Sequence, residues 1–379
     1  MPKITVLFVC TDWYRIDGST ASLSNLIDAI KGYVNPIVLV NAEGPVAEHF
    51  RNKNIECIIH RFFYLWEKPK KIKTVIHHPA KSTFYHYLFY NARCARYVAE
   101  QLKETKIDIV HSNSSITTVG CNIAKRLGVK HVWHIRESLD LGLELEPYGG
   151  FSGLKKKIRR ADGVVYISKA LKDHWNISSK RFATVSDAVI PNAVIPNAVK
   201  HSRDKNFLFC SASITENKGA STAVKAFGQS GISKFGYSLH LVGNCDDNYK
   251  ANLLSVAEAY GCSDAIIFDG YQSNPEKYFR EAAGFLMCSK FEGLGRVSVE
   301  AMANGCPVIA RNSGGTTDFI VHGENGYLFN TDEECAHYIK QIVENPQDNI
   351  VENAIKTVNE RFTEEVFGKK MIEFYNSLI

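Results

Sequence analysis

Short apolar runs alternate with amphipathic stretches along most of this 379-residue chain. In the first half, Ile4–Cys10, Pro36–Val40, Ile55–Ile59, Ile107–His111, Lys130–His134 and Gly163–Ile167 are apolar enough to read as buried parallel strands. Between them, Ser19–Lys31, Tyr85–Glu104 and Ile116–Leu127 carry apolar residues at helical spacing. That alternation predicts a doubly wound α/β sheet, with ligands at the carboxyl ends of its strands. A second series runs through Asn206–Cys210, Ser238–Val242, Ala265–Phe268, Gly284–Cys288 and Pro307–Ala310. The closing segment Thr363–Leu378 returns to helical spacing at Val366, Met371, Phe374 and Tyr375.

Composition narrows the picture only a little. A length of 379 residues and 45% hydrophobic content suit two domains that each bury a core. The net charge of +5 is too small to argue for nucleic acid by itself. Ten cysteines stand singly, with no Cys-x-x-Cys, which reads as reduced thiols in a cytosolic protein. The chain opens directly into a strand-like run, and no stretch of eighteen apolar residues occurs, so a soluble, cytoplasmic protein is expected.

The most telling stretch is FEGLGRVSVEAMANGCPVIARNSGG, residues Phe291 to Gly315. Glu292 and Glu300 bracket a glycine-flanked loop (Gly293, Leu294, Gly295) and the start of an apolar helix bearing Arg296. A loop opening a helix presents free backbone N–H groups, which favours an anion there. An anion with an acid on either side is the layout that a sugar, a diphosphate and a ribose require. For an isolated Glu pair, the alternative of two solvated acids would win.

This run resembles the Glu-x7-Glu region of retaining glycosyltransferases of the GT-B fold, family 4, and the members that assemble surface polysaccharide in particular. The resemblance implies two Rossmann-like doubly wound domains facing across a cleft. Residues 1–198 would bind acceptor and 199–362 the nucleotide-sugar donor, with a terminal helix, 363–379, crossing back to the first domain. It further implies retaining sugar transfer from a nucleotide-diphosphate sugar, UDP- or GDP-linked, to a glycan or glycolipid acceptor. Hinge closure would exclude water so that transfer outruns hydrolysis.

Residue by residue, the resemblance gives Glu292 a donor-sugar hydroxyl and the developing positive charge, and gives Glu300 the ribose hydroxyls. Lys218 and Gly219, in SITENKGASTAVKAF, match the family's Gly-Arg-x-x-x-x-Lys-Gly diphosphate clamp. Ser213 stands where the family has arginine, a lost cation that Arg296 would partly replace. Gly18 and Ser19, opening the first helix, would complete the cradle and meet the acceptor. His134, at the end of VWHIRE, would line the cleft near the donor sugar, where a lone histidine is otherwise structural. Asn113 and Arg136 would meet the acceptor, the bland reading of Asn113 being a capping loop.

No Asp-x-Asp occurs, so neither a metal site nor a cofactor is expected, and lysine and backbone donors would do the work of an ion. Two basic clusters remain, Lys155–Lys157 with Arg159 and Arg160, and Lys68, Lys70, Lys71 and Lys73 after Trp66. Charge runs are commonly solvated faces; the functional alternative is an anionic membrane surface. The segment AVIPNAVIPNAV (Ala188 to Val199) doubles a five-residue unit and reads as a lengthened hinge. Other readings are a nucleotide-sugar epimerase or hydrolase on the same scaffold, and a non-catalytic partner subunit. A Rossmann dehydrogenase is disfavoured, because Gly-x-Gly-x-x-Gly is missing after the first strand.

Overall fold

The structure, a computed structural model, describes residues 3–16, 18–64, 66–67, 79–142, 144–179, 181–190 and 204–379, with backbone alone at 66–67 and 79–84. The chain separates into two compact units, Met1–Ala188 with Glu364–Ile379, and Val189–Thr363.

The first unit has strands β1 (Ile4–Val9), β2 (Val34–Val40), β3 (Glu56–Ile59), β4 (Trp66–Glu67) and β5 (Ile109–Ser112). They are followed by β6 (Lys130–Ile135), β7 (Glu146–Pro147), β8 (Gly163–Tyr166) and β9 (Phe182–Thr184). Seven of them form one parallel sheet in the order β3-β2-β1-β5-β6-β8-β9, while β4 and β7 pair antiparallel. Its helices are α1 (Gly18–Ile30), α2 (Pro45–Asn52), α3 (Pro79–Gln101), α4 (Val119–Leu127), α5 (Gly150–Ile158) and α6 (Lys169–Trp175). The order of the sheet reverses between β1 and β5, which opens a crevice at their carboxyl ends.

The second unit repeats the plan. Its strands are β10 (Asn206–Ser213), β11 (Ser238–Asn244), β12 (Ile266–Gly270), β13 (Gly284–Met287), β14 (Val308–Arg311) and β15 (Tyr327–Phe329). They pair in the order β12-β11-β10-β13-β14-β15, all parallel. The helices are α7 (Ala220–Ser230), α8 (Asp247–Ala259), α9 (Glu276–Glu281), α10 (Arg296–Ala303), α11 (Asp332–Glu344) and α12 (Asp348–Arg361). Here the order reverses between β10 and β13, so the loops after those two strands share one crevice.

A last helix, α13 (Glu364–Asn376), belongs to the first unit. Its apolar stripe of Phe367, Met371, Phe374 and Tyr375 joins the cluster built by Val6, Phe8, Leu23, Leu26, Ile27 and Ile30. Burying a stripe of this size stabilises the unit by roughly 1.5–3 kcal/mol per large side chain, less the entropy of ordering it.

The boundaries differ from those read in the sequence. The backbone N–H groups of Val189 and Ile190 both reach the Phe362 carbonyl (2.9 and 3.2 Å), and Ile190 bridges Thr363. The chain therefore joins the second unit about ten residues before the expected boundary at 198. Most of the doubled AVIPN segment, from residue 191, and the lysine cluster at 68–73 lie outside the described residues.

Candidate active site

In the second unit, β10 ends at Ser213 and leads through Thr215–Lys218 to Gly219, the N-cap of α7. Gly219 has φ 77°, and a Cβ there would run into the Cys288 carbonyl. Only glycine lets this turn lie flat on the strand end of β13. That close approach carries Lys218 to Glu292, with Nζ 2.7 Å from Oε1. Ser289 donates from Oγ to the same oxygen at 2.6 Å. The two side chains stay 41% and 20% exposed, so the pair faces the crevice and is not sealed in the core.

The loop then passes Gly293 and Leu294 to Gly295, the N-cap of α10. Gly295 has φ 86°, and a Cβ would press on Thr316 Cγ2 at 2.5 Å. No side chain caps α10, and the Ser298 N–H bonds the Gly295 carbonyl at 2.9 Å, so the positive end of the helix dipole at this turn favours an anion. The Gly315 N–H bonds the Glu292 carbonyl at 2.8 Å, tying the loop to the segment after β14. Leu294 is buried and anchors it. At the third position of α10, Ser298 is buried, and its Oγ has no partner among the described residues.

Glu300 lies on the same helix, four residues after Arg296. Burial raises its carboxyl above the ordinary range, opposed by the Arg296 guanidinium and reinforced by Glu276. Ser213 is exposed at the end of β10. The structure thus gathers Lys218, Glu292, Gly293–Arg296 and Glu300 around the carboxyl ends of β10 and β13.

In the first unit, the loops at the β1/β5 crevice are held by polar bonds. Ser19 and Thr20, in the first turn of α1, donate from their hydroxyls to Asp12 Oδ2 at 3.0 and 3.2 Å. This helix end therefore already receives a carboxylate, while Gly18 sits exposed ahead of it with φ 45°. Asn113, just past β5, is buried: its Nδ2 donates to the Ser19 carbonyl at 3.0 Å, and its Oδ1 accepts from Arg136 Nε at 2.7 Å. Arg136 is buried too, with Nη1 on both oxygens of Asp187 at 2.6 and 2.7 Å. Ser22 donates to Asp187 at 2.8 Å. The geometry gives Asn113 and Arg136 a holding part that fixes α1, β5 and β6 together.

His134 lies at the end of β6, fully buried. Its Nδ1 is 3.2 Å from His111 Nε2 and 3.4 Å from Arg136 Nη2. His111 Nδ1 meets the Tyr375 hydroxyl at 2.7 Å. His134 Nε2 has no partner among the described residues. Burial, aided by Arg136, pushes both imidazoles well below their ordinary value, so both are neutral at pH 7. The sequence reading did not single out Asp12 or Asp187, and it took His111 and Tyr375 only as members of a strand and a helix. Their polar partners were not legible, because long-range pairs leave no local spacing.

Residues 193–357 match the family model described as glycosyl transferases group 1, and residues 46–203 that of glycosyltransferase family 4. Both halves match glycosyltransferase models. Among curated glycosyltransferases, the lipopolysaccharide core biosynthesis glycosyltransferase LpsE of Rhizobium meliloti is 31% identical over 41% of this chain and 42% of its own. An uncharacterized glycosyltransferase of Methanocaldococcus jannaschii is 25% identical over 70% of this chain and 71% of its own. Coverage of the first relatives is partial: the match spans 25% of a sucrose synthase from Denitrovibrio acetiphilus. The crystal structure of Anabaena HepE in complex with UDP has the same fold, with TM-score 0.79, 18% identity, and coverage of 99% of this chain and 100% of that one. The architecture is GT-B, two Rossmann-like domains with parallel sheets.

Proposed function

We propose that this protein is a retaining glycosyltransferase that moves a sugar from a nucleotide-diphosphate sugar to a glycan or glycolipid acceptor in surface-polysaccharide synthesis. The observation that carries the reading is the Lys218–Glu292 pair beside the uncapped N-terminus of α10, at the β10/β13 crevice. As the nucleoside diphosphate leaves, negative charge grows on phosphate, and positive charge grows at the anomeric carbon. Lys218 and the positive N-terminal end of α10 answer the first; Glu292 answers the second. Each preorganised donor at the phosphate is worth about 3 kcal/mol of barrier. Arg296 lies on that first turn and adds to the cationic side, and Glu300 holds the ribose. UDP in the HepE complex supports a nucleoside diphosphate as the leaving group here. The lysine and amide donors let the reaction run without a metal.

In this reading the first unit, Met1–Ala188 with Glu364–Ile379, takes the acceptor. Support for a lipid-borne acceptor comes from α3, which exposes Tyr85, Leu88, Phe89 and Tyr97, and from Lys156, Arg159 and Arg160 at the end of α5. Among the described residues no helix is long and apolar enough to cross a membrane, so this association would be peripheral.

The test is a thermal-shift screen of nucleoside diphosphates, then product analysis of the best donor with and without acceptor. Transfer with retention at the anomeric carbon, read by proton NMR in the first turnovers, is the expected result. An epimerised sugar from donor alone, free sugar formed as fast with acceptor as without, or inversion would overturn it.

A further inference from the structure

His134 Nε2 is a buried polar atom with no partner among the described residues, at the carboxyl end of a strand where ligands bind. Which role that nitrogen plays depends on where the single imidazole proton sits, and the neighbours decide it. Arg136 Nη2 lies 3.4 Å from His134 Nδ1 and can only donate. Arg136 cannot swing away, being held by Asp187 and Asn113. A proton on Nδ1 would point an N–H at a guanidinium. His134 Nδ1 is therefore an acceptor, and Nε2 carries the hydrogen.

The rest of the chain agrees. With Nδ1 of His134 accepting, the hydrogen between the two rings belongs to His111 Nε2. His111 Nδ1 must then accept, and the Tyr375 hydroxyl donates to it. The opposite polarity would leave the Tyr375 O–H, buried on α13, with no acceptor among the described residues. The run is Tyr375 O–H to His111 Nδ1, His111 Nε2–H to His134 Nδ1, and a His134 Nε2–H that has no partner among the described residues.

We infer that Tyr375 and His111 are positioning residues that lock His134 as an Nε2–H donor, and that the group docking on it is an acceptor oxygen, a sugar hydroxyl or a phosphate oxygen. The identity of that oxygen rests on the transferase reading above; the locked tautomer does not. On this account His134 donates a hydrogen bond and does not take up a proton as a general base. A residue on the terminal helix thereby sets the chemistry of one at a sheet edge.

The test is long-range nitrogen–proton NMR of the full chain labelled with 15N-histidine, without ligand. His134 is assigned by its backbone correlations or by the signals lost in His134→Gln. The expected pattern is a protonated Nε2 and a bare Nδ1 at both His134 and His111. A protonated Nδ1 at either ring overturns the inference. Tyr375→Phe keeps the ring that fills the core and removes only the hydroxyl. It should let both imidazoles average between tautomers and lower kcat for transfer about tenfold, with the donor KM unchanged. Unchanged tautomers in that variant also overturn it. Absence of any transfer in the wild type, with the tautomers as expected, would sink the function proposal and leave this one standing.

Discussion

The Lys218–Glu292 contact invites a separation of stability from catalysis. At 2.7 Å, Coulomb attraction between unit charges is about 6 kcal/mol at an effective dielectric constant of 20, and about 1.5 kcal/mol in bulk water. With side chains 41% and 20% exposed, the pair sits near the wet limit, where measured pairs contribute about 0.2–1 kcal/mol. Lys218→Met should therefore lower folding stability by no more than about 1 kcal/mol in urea titration. If Lys218 is also a preorganised donor to the leaving phosphate, the same substitution removes about 3 kcal/mol from the transition state, roughly a hundredfold in kcat/KM. Glu292→Gln acts in the opposite sense on binding. It releases Lys218 from its carboxylate, so a nucleoside diphosphate should bind equally well or up to about fivefold tighter by calorimetry, while transfer falls. Turnover of Lys218→Met within about threefold of the wild type would refute the clamp. Weaker nucleotide binding by Glu292→Gln would refute the competition.

Further outcomes follow from the same geometry. Glu300→Ala should weaken nucleotide binding by about 1.5–3 kcal/mol, the worth of hydrogen bonds to a charged group, with little change in kcat. Because burial raises the Glu300 carboxyl, its ionisation opposes folding once the pH exceeds the unfolded value. Glu300→Gln should thus raise the Tm of the ligand-free protein at pH 7 and leave it unchanged at pH 4. Asp187→Ala strands the buried Arg136 guanidinium and should cost about 3–5 kcal/mol in denaturant, far more than the loss at Lys218. In flotation with anionic vesicles, replacing Lys156, Arg159 and Arg160 by serine should cost about 1 kcal/mol per residue; no binding by the wild type would remove the membrane surface.

How much of this was legible in the sequence depended on the range of the forces involved. Every strand read from the pattern appears, within two residues at most ends, because a strand buried on both faces must be apolar throughout. The glycine-flanked loop and the Lys218–Gly219 turn could be read because Gly295 and Gly219 answer local backbone demands. The domain boundary was missed by ten residues, since it rests on two hydrogen bonds from Val189 and Ile190 to a carbonyl more than 170 positions away. Asn113 and Arg136 looked like cleft residues by position, yet their polar atoms turn inward to Ser19 and Asp187. Nothing in the local pattern distinguishes an arginine that meets a ligand from one that meets a distant aspartate. The basic run at Lys155–Lys157 is partly explained by its place in the last turn of α5, where positive charge is favoured, with Lys157 over the Tyr87 ring.

The route of the chain has a consequence for biosynthesis. It leaves the first unit at Ala188 and returns only at Glu364, after the 175 residues from Val189 to Thr363 have been made. At bacterial-to-eukaryotic elongation speeds that interval is roughly 10–35 s. Throughout it, the trough that Phe367, Met371 and Tyr375 will fill gapes on a nascent lobe still tethered to the ribosome. A chain cut before residue 364 would therefore leave that trough unfilled and should fold poorly, however well its second unit forms.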